Sequence, residues 1–507
     1  MKHSRRSTRV VLVLAFAPLT LARVASAQQE LAHFDGTWAQ ERLGDFVAPI
    51  GDVDADGFAD VAATGLLSNI VRIFSVATRT EIHSWNIRTS SASVGLSVAG
   101  PGDVNGDGID DIVVGDGDAF YLAPHGGVVH AYSGATGGPL WSSFGAGTDD
   151  ELGYDVTPLG DLDGDGVTDL VATTIGYSWQ PTYAAVLSGD DGVEINRYTG
   201  IGSDAFVDVD GLGDVDGDNV PDFALADAFE DEILVVSGAT CTLLFRIPRP
   251  AGTQGFGENV CSIDDLDGDG RREILAGARL TDVAMPNDDA GSAGIFSGAS
   301  GILLFQYFGA SAGGKFGTSV ADAGDLDGDG QAEYLVGAPT DPAGGYVDAY
   351  SGATGLLLFR FRGDPDDRFG ASVAGVGDAN GDGFDDVAIG AATSDVGATS
   401  TGSVRVHAGN DLFLQVEPPT AVANDFVTIT AAEGPTGALA LMALVDVNGA
   451  PMFVVLGGIG SFDGTRRYAL AGTVPPGLAG LTLGFLSFGD DANGRLRASE
   501  IATLTLQ

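Results

Sequence analysis

Cysteine, methionine and tryptophan are scarce in this chain: its 507 residues contain two, four and four of them. Two cysteines allow at most one cross-link, which excludes a disulfide-built scaffold. Histidine is almost as rare, with six copies. No His-Glu-x-x-His and no Gly-x-Ser-x-Gly occurs, so neither a zinc protease nor a serine-hydrolase elbow is written here. Basic residues number 24 against 70 acidic ones, a formal charge of −46. That balance argues against a nucleic-acid partner. It does not mean disorder, because 44% of the residues are hydrophobic. Long apolar runs are missing as well, apart from residues 10–22. That run follows Lys2, Arg5, Arg6 and Arg9 and precedes Ala25-Ser26-Ala27. It is too short for a comfortable membrane span, and its flanks are those of a cleaved signal peptide. Residues 1–27 are therefore expected to leave, and no transmembrane anchor is expected afterwards. Thr8 stands where a twin-arginine signal usually carries Phe, so Arg5-Arg6 alone does not choose the export route. Export would place the chain outside the cytoplasm, in the periplasm, on the cell surface or in the medium.

Aspartate and glycine are abundant, and they are patterned. The fullest version of the pattern is Asp161-Leu-Asp163-Gly-Asp165-Gly166-Val167-Thr-Asp169. Carboxylates stand at positions one, three, five and nine, and glycine stands at six. Four acids so close together repel one another unless a counter-charge is present. Calcium takes six to eight oxygen ligands at flexible angles, and alternate Asp residues with a glycine at the turn supply them. Position seven offers only its backbone carbonyl, which leaves its side chain free to vary. The stretch recurs from Asp52, Asp103, Asp161, Asp214, Asp265, Asp325 and Asp378, at intervals of 51, 58, 53, 51, 60 and 53 residues.

The expected oxygen donors of the first three loops are Asp52, Asp54, Asp56, Phe58 and Asp60; Asp103, Asn105, Asp107, Ile109 and Asp111; then Asp161, Asp163, Asp165, Val167 and Asp169. Those of the next two are Asp214, Asp216, Asp218, Val220 and Asp222; then Asp265, Asp267, Asp269, Arg271 and Glu273. The last two offer Asp325, Asp327, Asp329, Gln331 and Glu333; then Asp378, Asn380, Asp382, Phe384 and Asp386. Up to seven calcium ions are expected. Asn219 replaces glycine in one loop, and Asn is the best non-glycine residue at positive φ. One Asp-Gly stretch alone could be a polar turn; seven with oxygen donors at the same offsets argue for cation sites.

A period of this length marks a repeat architecture. Each loop is followed by a short apolar run such as Asp111-Ile-Val-Val114, which reads as a buried strand rather than the helix an EF-hand would need. Before the loop stands another strand, as in Phe316-Gly-Thr-Ser-Val320. A third strand ends in a turn such as Tyr350-Ser-Gly-Ala-Thr-Gly355, and a fourth follows, as in Leu357-Leu-Phe-Arg-Phe361. Four antiparallel strands repeated radially make a β-propeller. Seven loops predict seven blades. Glu30–Gly36 also aligns with a fourth strand and is expected to complete the last blade. Cys241 then falls in an outer turn and Cys261 on an inner strand of the next blade, so a bond between them is not the expected state.

Phe-Gly before the loop, Asp-x-Asp-x-Asp-Gly-x-x-Asp within it and Gly337-Ala338-Pro339 after it resemble FG-GAP repeats. That family forms the seven-bladed propeller of integrin α-subunits and of many bacterial secreted proteins. The resemblance spans about residues 29–411 and is strongest in the last three repeats. Early repeats depart from it, with Val94-Gly95, Leu152-Gly153 and Phe206-Val207 in place of Phe-Gly. All seven repeats here keep the acidic loop, which is closer to the bacterial secreted type. The resemblance implies adhesion or recognition rather than catalysis.

Residues 412–507 lack both loop and period. Their alternating runs predict a small β-sandwich after a propeller at 28–411. Asp490-Asp491-Ala-Asn493-Gly494 is read as a hairpin turn. The expected class is therefore all-β: a seven-bladed propeller with calcium-binding hairpin loops and a C-terminal sandwich. The expected function is a secreted, non-catalytic module that binds a protein or a glycan. A glycan-active enzyme and a cell-envelope scaffold are the alternatives. Strand parity puts acidic loops and Ser-Gly-Ala-Thr turns on one face. The connections between second and third strands lie on the other face, where the resemblance to integrins places a ligand. Phe120, Tyr121, Tyr177, Trp179 and Tyr183 in two neighbouring connections form the expected partner patch, since aromatic rings supply contact area at little entropy cost.

Overall fold

The computed structural model describes residues 29–65, 70–87, 96–117, 119, 125–175, 182–201, 204–283, 285, 288–394 and 400–409. Beyond them it gives the backbone of strands between 413 and 506. The expected signal segment and the aromatic residues Phe120, Tyr121, Tyr177 and Trp179 lie outside the described residues. Every described element is a strand. No helix is long and apolar enough to cross a membrane among the described residues.

Seven four-stranded antiparallel sheets follow one another. Blade 1 comprises Phe46–Pro49, Val61–Thr64, Ile70–Ser75 and Thr80–Asn86. Blades 2 to 6 run in the same order from Leu96 to Phe144, Val156 to Thr199, Phe206 to Pro248, Phe256 to Phe308 and Ser319 to Arg362. Blade 7 comprises Phe369–Gly377, Asp386–Ala391 and Ser403–His407, and its fourth strand is Glu30–Asp35 from the other end of the chain. Phe34 pairs with Val404 and His33 with Arg405 in that closure. The ring is thus locked by its own N-terminal strand, a seven-bladed β-propeller.

The first strands of all seven blades line a central channel of about 490 Å³. Second strands are buried on both faces, as in Asp111–Asp116 and Glu273–Ala278. Each blade is packed between two neighbours, so there is no single core. Val113 packs with Leu170 of blade 3, while Ile112 and Val114 pack with Ile73 of blade 1. Seven such clusters, one per blade interface, close the ring. This explains the unbroken β-branched runs after each loop: alternation would have left one face polar.

The Phe of each Phe-Gly pair is a wedge between blades. Phe316 joins the cluster between blades 5 and 6, and Phe369 the one between blades 6 and 7. The glycine after it is compelled by backbone. Gly317 has φ +86°, and a Cβ there would lie 2.2 Å from the Ser292 carbonyl oxygen. Leu152 and Leu43 do the same work in blades 3 and 1, each in a parallel bridge to a glycine of the preceding blade. Sequence reading missed Leu43-Gly44, because leucine hides the motif.

Cys241 and Cys261 are both free and buried. After the ring come a three-stranded sheet of Phe413–Glu417, Phe426–Ala432 and Arg467–Thr473 and a five-stranded sheet built around Thr482–Asp490 and Leu496–Leu506. The last two pair antiparallel up to Asp490 and Leu496, so the Asp-Asn-Gly stretch between them joins a hairpin.

Candidate metal centres

Each acidic loop joins the first and second strands of a blade at the same end of the ring. Its conformation comes from the backbone first. Position six has positive φ in all seven loops, from 68° at Asn219 to 92° at Gly57 and Gly166. Position four does too, from 60° at Ala55 to 92° at Gly217. The second requirement was legible, since six of the seven residues at position four are glycine, but sequence reading used only position six. Two left-handed residues in one loop turn a run of N–H groups inward, and carboxylates collect them.

The bonding repeats in every blade. The carboxylate at position one accepts the N–H of position six at 2.7–3.0 Å. Position five accepts the N–H of position seven at 2.8–3.0 Å. Position nine accepts the N–H of position two at 2.7–3.0 Å. The loop therefore holds its acids with their remaining lone pairs converging. Carboxylate oxygens of Asp52, Asp54 and Asp56 lie within 4.8 Å of one another, as do those of Asp265, Asp267 and Asp269 and of Asp325, Asp327 and Asp329. Asp214, Asp216 and Asp218 form a further group, and Asp161 and Asp163 meet the buried Asp169. In the loops from Asp103 and Asp378, position three is Asn, and its amide donates to the position-nine carboxylate at 3.0 and 3.2 Å.

The charge in these loops is costly without a counter-ion. Position nine is wholly buried in every blade, from Asp60 to Asp386. Burial pushes the Asp60 and Glu273 carboxyls up to about 7, and those of Glu333 and Asp386 up to about 8. Burial raises Asp111, Asp169 and Asp222 likewise. Three buried oxygens have no donor at all: Asp60 Oδ1, Glu273 Oε2 and Glu333 Oε1. Loop acids at positions one, three and five raise the Asp60 and Glu333 carboxyls further, so those oxygens sit in the field of the cluster. A hard divalent cation satisfies both the orphaned oxygens and the crowded charge. The residues present fit one.

Residues 369–407 match the FG-GAP repeat family model. The fold is an FG-GAP β-propeller. The chain is 36% identical over 123 residues to integrin alpha-7 from Mus musculus, covering 22% of this chain and 10% of the integrin. It is 32% identical over 168 residues to integrin alpha-4 from Xenopus laevis, covering 30% and 16%. The matched stretches thus span under a fifth of these relatives. Among solved structures, BBS1N from a complex with ARL6DN is similar with a TM-score of 0.49 and 10% identity, over 76% of this chain and 97% of that one.

Two further features of the propeller escaped sequence reading. In the channel, Ser97, Asp155, Asp208, Asn259 and Ser372 each stand directly before a valine of an inner strand. Each accepts the N–H of the valine in the next blade, at 2.7–3.1 Å. The signal was a polar residue before valine in successive repeats. Asp155 and Asp208 also hydrogen-bond each other, and burial raises both carboxyls, with Asp208 the protonated partner. On the loop face, Asp110 accepts the N–H of Asp52 at 2.9 Å, and Asp385 that of Asp325 at 2.7 Å, so neighbouring loops are tied together.

The expected partner patch needs one correction. Tyr183 is only 6% exposed and belongs to the core between blades 2 and 3. Its hydroxyl donates to Asp150 at 3.2 Å, and Arg197 stacks on its ring. It opens a third strand, where side chains face the neighbouring blade rather than solvent.

Proposed function

We propose that this chain is an exported recognition module in which calcium rigidifies one face of an FG-GAP propeller and a protein or glycan binds the opposite face. The observation that carries the calcium part is the set of buried, donor-less carboxylate oxygens beside clustered loop acids. Asp52, Asp54, Asp56 and Asp60 and their counterparts in the other six loops would hold the ions. The carbonyl of position seven would complete each set. Bound calcium supplies positive charge that neutralises the loop acids; the chain's own residues hold the turn and tie it to the blade.

The partner part rests on the resemblance to integrin α-subunits and on exposed apolar side chains in the connections between second and third strands. Phe229 is 67% exposed in blade 4, and Met285 is 65% exposed in blade 5. The corresponding connections of blades 2 and 3 contain Phe120, Tyr121, Tyr177 and Trp179. Together they span four consecutive blades on the face away from the acidic loops. Aromatic and Met side chains grouped on one face make a contact surface for a protein or a sugar. Residues 1–27 would direct export, and the sheets after residue 412 would form a separate sandwich. The catalytic alternative draws on Asp155 and Asp208, but three of their oxygens are engaged by Ser97, Val209 and Val260. They read as staples between blades.

An array of glycans and extracellular proteins, probed with the intact chain with and without chelator, tests the reading. Binding to one class should fall at least tenfold in the Tyr177→Ala/Trp179→Ala double variant and in Phe229→Ala, with the calcium-dependent melt unchanged. Undiminished binding in both variants would remove the patch. Turnover of a glycan abolished by Asp208→Asn would replace recognition with catalysis.

A further inference from the structure

The position-nine carboxylate divides the seven loops into two groups. In blades 2, 3, 4 and 7 it is an aspartate whose second oxygen is already engaged. Asp111, Asp169, Asp222 and Asp386 each accept there the N–H of a glycine in the turn between third and fourth strands. The donors are Gly134, Gly189, Gly238 and Gly409, at 3.0–3.1 Å. In blades 2 and 7 the Asn at position three adds a second donor to the same oxygen. In blades 1, 5 and 6 the second oxygen of Asp60, Glu273 or Glu333 has no donor, although each residue is at most 1% exposed.

Two different sequence features produce the open group. Glutamate is one methylene longer than aspartate, and Gly298 and Gly352 stand in the turns of blades 5 and 6 without bonding it. In blade 1 the residue after Ser75 is Val76 rather than glycine, and Asp60 keeps its second oxygen unbonded. The open loops are also those with four carboxylates and with positions one, three and five gathered within 4.8 Å. The loop from Asp161, the fullest match to the sequence pattern, falls in the tied group.

We infer that the propeller has two classes of divalent-cation site: three tight ones in blades 1, 5 and 6, and four weaker ones whose position-nine carboxylate is tied to the outer turn. A cation entering an open loop gains a buried anionic oxygen that nothing else satisfies. In a tied loop it must share an oxygen that already accepts one or two N–H groups, or break the tie. Ligand charge and loop rigidity are the quantities that tune calcium affinity over orders of magnitude. The inference rests on the calcium reading of the loops but is separable from it.

Calorimetric titration of the full chain, stripped of metal, with calcium chloride is the test. Three ions should bind at least about tenfold more tightly than the rest, a difference of roughly 1.4 kcal/mol per site. Glu273→Asp should let Gly298 capture the shortened carboxylate and lower the tight stoichiometry to two. Asp222→Glu should free an oxygen in blade 4 and raise it to four; Glu273 in the neighbouring blade shows that the longer side chain fits such a position. Seven equivalent sites, or an unchanged tight stoichiometry in both variants, would overturn the sorting while leaving calcium binding intact. No heat and no bound calcium at millimolar concentration would overturn both.

Discussion

Replacing Asp222 by alanine should loosen blade 4 even with no cation bound. The Asp222 side chain is wholly buried and holds three backbone N–H groups: Val215 at 2.9 Å, Asp216 at 3.2 Å and Gly238 at 3.0 Å. Alanine strands all three. A buried donor without a partner costs about 1–3 kcal/mol; Val215 and Gly238 are buried and count in full, which makes roughly 2–6 kcal/mol. One term opposes this. Burial raises the Asp222 carboxyl, so its charge is itself unfavourable in the fold and removing it recovers part of the loss. A net cost of about 2–4 kcal/mol follows. Asp222→Asn keeps one acceptor and sheds the charge, and should cost less than half as much. Blades in a ring need not unfold together, so a local readout is the right assay. Amide exchange in chelator should accelerate at Val215 and Gly238 by about 30-fold or more, since ~1.4 kcal/mol is a factor of ten. Equal protection of those two amides in the alanine variant and the wild type would refute the reasoning.

Glycine positions that look alike in sequence should differ sharply in cost. Gly164→Ala, in open space at φ +85°, should lose about 1 kcal/mol from the left-handed backbone alone. Gly317→Ala would also meet the Ser292 oxygen and should lose about 3 kcal/mol or more, read as the shift in urea midpoint. Chelation should lower the melting temperature, and calcium binding at pH 7 should release protons, because burial holds Glu333 and Asp386 up to about 8. The sign is that of raised carboxyls: in the cation-free ring their contribution is full below about pH 4 and is lost as pH rises through 7–8. Calcium titrations in two buffers of different ionisation enthalpy count the protons. Asp208→Asn should make the cation-free ring more stable above neutral pH, because the amide mimics the protonated partner of Asp155 while still accepting the Val260 N–H. The gain should vanish near pH 4, and a loss of stability at pH 8 would contradict the shared-proton pair.

How far the sequence reaches is set by the range of each interaction. The acidic loop is local: its ligand offsets and its left-handed position six lie within nine residues, so repeat number, strand order and blade count could be read from it. The closing strand was also legible, because Glu30–Asp35 has a fourth-strand pattern and one slot was vacant. What the chain could not declare is whatever depends on a neighbour fifty residues away. Leu43 and Leu152 stand where Phe is usual, and only the interface with the previous blade reveals them as wedges. Tyr183 looked like a partner of Trp179 in sequence, yet the third strand turns it into the core and onto Asp150. The donor that engages Asp222 sits on a turn beginning at Ser237, and the orphaned oxygen of Glu333 exists because no such donor reaches it. Side-chain length by itself, Asp against Glu, carries no such meaning until the outer turn is folded back over the loop. Sequence alone determined a ring of acidic hairpins; the tertiary structure decided which carboxylates are left free, because hydrogen-bond saturation depends on atoms brought together from different strands.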